Sequence, residues 1–350
     1  YITPTPLWFV RHHHPTPNIN PEEYQLTISG KYIDKDYHDF SLAEIKKLSS
    51  KTIINTIQCA GNRRKEFLEH QETEGKVLGL HWDGGAISTA KFKGVLLRDL
   101  LSSINYNMDL LNQEYFQFTG ADEPYDASIF ARKAVDKYGD VMIAYEMNDE
   151  PIPRDHGGPV RLIVPGYTGG KNVKWLTGIN ISDEPSHSTW QRGVAYKGFS
   201  PNVKSFESLS QDQKNSSFTA EELPVQSFIT DYKLIENKSK LKVKGIAYSG
   251  GGRNIVRVDV SLDKANNWHT AELLTGCNQP PYSSWAWTFW EIEIPISKND
   301  IGEIENIICK ATDISYNTQP QESRSIWNLR GIFNNSWHKV VFKPDKMKQD

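Results

Sequence analysis

The sequence predicts an α+β chain: a mixed α/β domain followed by a β-sandwich. Three observations carry that prediction. Helix-capping signals alternate with β-branched runs as far as about residue 205. A polar, Ser-rich stretch, ESLSQDQKNSSFTAEE at 207–222, then reads as a linker. Beyond it, KLKVKGIAYSGGGRNIVRVDVSLDKANNWHTAEL, TFWEIEIPI and NIICKATDIS are short alternating runs separated by turn residues, the pattern of a sandwich.

Residues 1–20 are rich in Pro and His and should be extended, because the residue before each Pro avoids the helical region. YQLTISG at 24–30 alternates like a strand. In SLAEIKKLSS at 41–50, Ser41 and Glu44 form a capping box that opens a helix. TIINTIQC is a β-branched run that ends on Cys59 and enters a Gly-containing loop, a common place for chemistry. FKGVLLRDLLSSI at 92–104 reads as an amphipathic helix. PVRLIVPG and VKWLTGINIS read as strands. SGGGR at 249–253 lacks the glycine spacing of a nucleotide loop and reads as a β-hairpin turn.

Hydrophobic residues are 38% of the 350 and charged residues 24%, an ordinary globular balance. The net charge of −3 leaves no basic surplus for nucleic acid. No apolar run approaches the ~20 residues of a membrane span. Three cysteines, Cys59, Cys277 and Cys309, make no disulfide framework and no C-x-x-C metal motif. The chain opens on Tyr1 without a leader-like stretch, which suggests trimming from a longer protein.

The chemistry-bearing residues begin at IQCAGNRRKE. Cys59 is followed by Arg63, Arg64 and Lys65. Cations lower a thiol pKa, so one reading is a metal-ligating or nucleophilic thiolate beside an anion-binding loop. The other is a buried structural cysteine before a solvated basic turn. In FVRHHHPTP, three histidines follow Arg11. Neighbours in extended chain point to opposite faces, so the three should not ligate one ion together. PRDHGGPVRLIVPG places His156 and Arg161 around a Gly-Gly-Pro turn, and Arg forks suit phosphate and other oxyanions. KNVKWL adds Lys171 and Lys174, WQRGVAYKGFSP adds Arg192, Tyr196 and Lys197, and WNLRG adds Arg330. One soft ligand among scattered cations suits a thiolate-bound metal, a phosphate-bearing organic cofactor and an oxyanion substrate.

Ten stretches in consistent order, from residue 1 to about 342, resemble the sulfite oxidase family of molybdenum enzymes. They are YITPTPLWFVRHHHPTP, QCAGNRR, GAISTA, AYEMNDEPIPRDHGGPVRLIVPG, NVKWL, WQRGVAYKGFSP, ELPVQS, SGGGRNIVRVDVSLD, WAWTFW and IWNLRGIFNNSWH. The resemblance implies a molybdopterin-binding catalytic domain at 1–215 and an immunoglobulin-like dimerisation domain at 216–350. It implies oxidation of sulfite to sulfate at a Cys-ligated oxo-molybdenum–molybdopterin centre, with water supplying the oxygen. Cys59 then matches the family's metal ligand. Arg11, Arg64, Tyr196 and Arg330 match its substrate pocket. Contacts to the pterin and its phosphate fall on Phe9, Val10, Arg11, His12, His13, Asp122, His156, Arg161, Asn172, Val173 and Lys174. The family's Arg-Asn-His stands here as Arg11-His12-His13. Leu78 occupies a usually basic position before the pocket tryptophan, Trp82, with Lys76 as the nearby substitute. The segment before Tyr196 is one residue longer than usual.

The same resemblance implies a homodimer, and a cytochrome b5-like haem domain and cytochrome c as electron acceptors. A haem b would belong only to a domain preceding Tyr1. It points to the mitochondrial intermembrane space, with peroxisome or cytoplasm as alternatives, and the closing KMKQD is no peroxisomal address. The alternatives are the molybdenum domain of a nitrate reductase, which shares CAGNRR, and a cofactor-free structural homologue.

Overall fold

The computed structural model describes residues 1–111, 114–122, 125–297 and 299–344; KMKQD lies outside them. Two compact units divide the chain. One holds Ile2–Glu222 and Asn328–Ile332; the other holds Tyr1, Leu223–Trp327 and the chain from Phe333 onward. The expected boundary at 215/216 lies a few residues before this division.

The first unit is built on two sheets. Strands β1 (Gln25–Gly30), β2 (Tyr37–Ser41), β3 (Lys51–Gln58), β4 (Ile87–Leu96), β5 (Tyr115–Gly120), β6 (Asp126–Phe130), β7 (Met142–Met147), β8 (Glu150–Pro151), β9 (Arg161–Ile163) and β10 (Leu176–Ser182) appear in chain order. One sheet runs β2-β1-β10-β5-β6, with β1 and β10 parallel. The other runs β3-β4-β7-β8, with β9 beside β7. Alternation sets the first core: Leu26 and Ile28 of β1 are fully buried, with Phe116, Phe118 and Ile129. Ile57, Phe92, Met142 and Ile163 form the second core with Trp8. Toward its end, β3 is buried on both faces from Asn55 to Gln58, so the strand delivers Cys59 into the interior. The Ser41–Glu44 capping box opens the helix Leu42–Lys47 as expected.

The other unit is a sandwich of two antiparallel sheets. After β11 (Lys197–Gly198) and β12 (Phe218–Thr219) of the first unit come β13 (Gln226–Ile235), β14 (Lys240–Tyr248), β15 (Ile255–Ser261), β16 (His269–Thr270), β17 (Glu272–Leu273), β18 (Thr288–Pro295), β19 (Asn306–Asp313) and β20 (His338–Val341). Their orders are β13-β14-β18-β17 and β16-β15-β19-β20, closed over Leu241, Val243, Val258, Val260, Trp290 and Ile307.

Three local readings change. The 92–104 stretch is strand as far as Leu96, and only Leu97–Ser103 is helical. Ala90, Phe92 and Gly94 are buried and alternate with the partly exposed Lys91 and Lys93, a strand pattern that the following Val95–Leu97 run obscures. The 207–222 linker contains a helix, Gln211–Ser216, with its own Ser210–Gln213 capping box, and β12 pairs with β11. SGGGR is no hairpin turn: β14 and β15 lie in different sheets, and the glycines carry the chain from one to the other.

Candidate active site

A cavity opens in the first unit, lined by apolar walls and a few convergent polar and charged groups. Of the cofactor-binding residues expected from the sequence, Phe9, Val10, Arg11, His12, His13, Asp122, His156, Arg161, Asn172 and Lys174 line it, as do Cys59 and Tyr196. Val173 is buried outside the lining; its carbonyl accepts from Leu162. Trp8, Ile57, Tyr125, Asp155, Gly169 and Gly170 also line the cavity and were not singled out.

Cys59 stands at the end of β3. Its sulfur accepts hydrogen bonds from the Gly61 amide and the Trp82 indole, and Arg64 and Arg11 add positive charge. Burial nonetheless outweighs them and pushes the thiol up. Local cations alone therefore do not make Cys59 a free thiolate, whereas a bound metal would ionise it outright. Among the described residues no group of three or more His, Cys, Asp or Glu is placed to hold a metal ion.

The three cations after Cys59 separate into three roles. Arg63, in the left-handed region at φ 61°, closes on Glu66 with two 2.6 Å bonds. Lys65 is exposed and pairs with Asp83 at 3.0 Å. Arg64 alone of the three acts on the site, through its charge on Cys59 and Tyr196, although it lies just outside the cavity lining. Its Nε donates to the carbonyls of Arg330 and Gly331, and one Nη1–H donates to Leu80 O at 2.6 Å. A Cβ at Gly61 would lie 2.3 Å from Arg64 Nη2, and one at Gly79 2.8 Å from Nη1. Both positions must be glycine for the guanidinium to fit, and Gly79 also has φ +119°. Arg330 lies outside the cavity lining; its Nε donates to Ala195 O, and it acts electrostatically on Tyr196. Lys76 is exposed and Leu78 brings no charge, so no cation arrives from that segment.

The consecutive histidines are each committed. His12 Nε2 donates to Asp155 O, and its Nδ1 accepts from Thr16. His13 contacts Arg11 and Tyr196. His14 accepts from the Trp190 indole at 3.3 Å. Their ring nitrogens point to different partners.

At the other end of the cavity, Arg161 is buried and donates to the carbonyls of His156 and Asn172, while its Nε has no protein partner. Burial lowers its pKa to about 10. Lys174 donates to Arg11 O at 3.0 Å, and burial, reinforced by Arg161, brings its pKa down to about 7. His156 donates through Nε2 to Thr5 O. The Asn172 side chain braces its own loop, accepting from Val164 N and donating to Thr168 O. Asp122 keeps one oxygen unpartnered, and burial raises its pKa to about 6. Among the described residues, none of Arg11, Arg64, Arg161, Lys174 and Arg330 is ion-paired to a carboxylate. Desolvated cations without counter-charge call for an anionic ligand. The unpartnered Arg161 Nε and Asp122 oxygen, with the Cys59 sulfur, fit a phosphate-bearing pterin that holds a metal through sulfur.

The chain matches two family models: an oxidoreductase molybdopterin binding domain over residues 13–190 and a Mo-co oxidoreductase dimerisation domain over 217–345. It is 42% identical to the mitochondrial sulfite oxidase of Homo sapiens over 97% of this chain and 61% of that protein. It is 41% identical to the sulfite oxidase of Gallus gallus over 97% of this chain and 72% of that one. The chain therefore spans about three fifths of the length of its mammalian relatives. Among solved structures, the sulfane dehydrogenase SoxCD of Paracoccus pantotrophus superposes with a TM-score of 0.74 at 25% identity, covering 97% of this chain and 80% of that one.

Proposed function

Because the chain belongs to the sulfite oxidase family of molybdopterin-dependent oxidoreductases, we propose that it oxidises sulfite to sulfate. The observation that carries this reading is the set of uncompensated cations around a cavity whose one soft ligand is Cys59. When bound, the molybdenum–molybdopterin cofactor supplies the two-electron redox chemistry and the oxygen transfer. Cys59 would hold its metal. Arg161, Lys174 and His156 would hold its phosphate and pterin, with Asp122 accepting from ring N–H groups. Arg64, whose Nη2 has no acceptor among the described residues, and Arg11 would bind the sulfite dianion through charge-assisted hydrogen bonds. Arg330 would add positive potential from behind Tyr196, whose hydroxyl would orient the anion. Oxidation releases two electrons and two protons for each water consumed.

The second unit would form the homodimer, in line with its dimerisation-domain match. The protein would reside in mitochondria, in line with the names of its mammalian relatives; the intermembrane space, and a cytochrome b5-like haem domain and cytochrome c as electron acceptors, complete the proposal. Sulfite-dependent ferricyanide reduction by the cofactor-loaded protein tests the activity, since ferricyanide needs no haem domain. Turnover with sulfite and none with nitrate is expected. Absence of sulfite turnover, with molybdenum and pterin both assayed as present, would overturn the proposal.

A further inference from the structure

The Arg11–His13–Tyr196 contacts have a direction that the roles assigned above do not use. Arg11 Nη2 lies 3.3 Å from His13 Nδ1. A guanidinium has only donors, so Nδ1 must be the acceptor. In a neutral imidazole the proton then sits on Nε2. That nitrogen is 2.7 Å from the Tyr196 hydroxyl, to which it donates. The ring is packed between Tyr125, stacked at 5.4 Å, and Trp190 at 4.0 Å, and a turn of the ring would put carbons where Nδ1 and Nε2 make their contacts. Tyr196 is held in turn by Gly170, where an added Cβ would touch its ring at 3.0 Å.

We propose that Arg11 and His13 form a one-way relay that fixes Tyr196 as a hydrogen-bond donor toward the bound oxyanion, with His13 as a positioning residue. This rests on the sulfite reading for the identity of the anion, but not for the direction of the relay. Because His13 fills a lone pair of the phenol oxygen, the phenol proton must go elsewhere. Tyr125 spends its own proton on Gly170 O at 2.7 Å, so it does not donate to Tyr196. An arriving anion is a strong acceptor and draws the phenol proton toward itself. Burial, then Arg11 and His14, bring the His13 pKa down to about 3, consistent with a neutral ring at physiological pH.

Nitrogen NMR of histidine-labelled, cofactor-loaded protein at neutral pH reads the tautomer directly, with the His13 signals assigned by their loss in His13→Gln. An unprotonated Nδ1 and a protonated Nε2 are expected. A proton on Nδ1, alone or together with Nε2, would overturn the relay. Kinetics supply the second test. Glutamine can keep a donor at the Nε2 position and leucine cannot. Losing one such bond should raise the sulfite KM about tenfold in His13→Leu, while His13→Gln stays within about threefold of the parent. Equal losses in both variants would contradict a directional role. If the parent turns over no sulfite at all, the proposed activity falls, whereas the tautomer remains decided by the NMR result.

Discussion

Two buried aspartates, one in each unit, show how the molecule separates structure from function. Asp313 in the β-sandwich accepts from the Ser249 hydroxyl, Arg253 Nε, the Asn317 side chain and the backbone amides of Ser315 and Asn317. Burial alone would raise its pKa, but the bonds from Asn317 and Ser249 outweigh it and hold the carboxyl below its usual range. Asp122 lines the cavity, one of its oxygens has no partner, and burial wins. A folded chain satisfies its buried polar groups wherever it can. A carboxylate closed on five donors ties down a turn. One left open beside unpaired cations waits for something else to complete it.

The largest effect that tests this contrast lies at the satisfied site. Asp313→Ala strands Arg253 and two amides, and should cost roughly 3–5 kcal/mol in denaturant unfolding. The stabilisation from Asp313 is present above its unfolded pKa and is lost as pH falls through the depressed folded value. The parent and variant curves should therefore converge in acid.

The next effect separates two adjacent arginines. Arg64→Gln removes a charge-assisted contact worth about 1.5–3 kcal/mol, so the sulfite KM should rise about ten- to hundredfold. Arg63→Gln should lower the melting temperature through the lost Glu66 pair and leave KM unchanged. A KM change of equal size in both variants would erase the distinction drawn between them.

The smallest effect lies at Asp122. A carboxyl whose folded pKa is raised costs stability as pH climbs from its unfolded value to about 6, and the full cost is present above that. Cofactor-free Asp122→Asn should therefore be more stable than the parent by roughly 1 kcal/mol at pH 8, with no difference below about pH 4. Its cofactor content after loading should fall. Thermal melts at the two pH values and a pterin assay check both statements.

The sequence shows these sites unevenly, for physical reasons. Cys59 was legible because a β-branched run ending in a small-residue loop is a local signal, and the structure places it at the head of the cavity. That Arg64, and neither Arg63 nor Lys65, acts on the site was not legible from residue types. It depends on Glu66 and Asp83 drawing the neighbours away and on glycines making room. Tyr125 and Trp190 were missed because an aromatic side chain in sequence reads as core. Only their packing on His13 sets them apart. The helix read over 92–104 failed at its first half because the apolar Val95–Leu97 run hid the end of an alternating strand, Ala90 to Gly94.

On the proposed reading, Cys59 would anchor a molybdenum cofactor beside an anion pocket that binds sulfite. Cys59→Ser, prepared in a host that makes the cofactor, tests it most directly when sulfite-dependent ferricyanide reduction and molybdenum content are measured together with the parent. Turnover should fall by at least about a thousandfold, while the unfolding midpoint stays near that of the parent, because the Gly61 and Trp82 contacts can bridge to a hydroxyl. Parent-level turnover in the serine variant would contradict the claim.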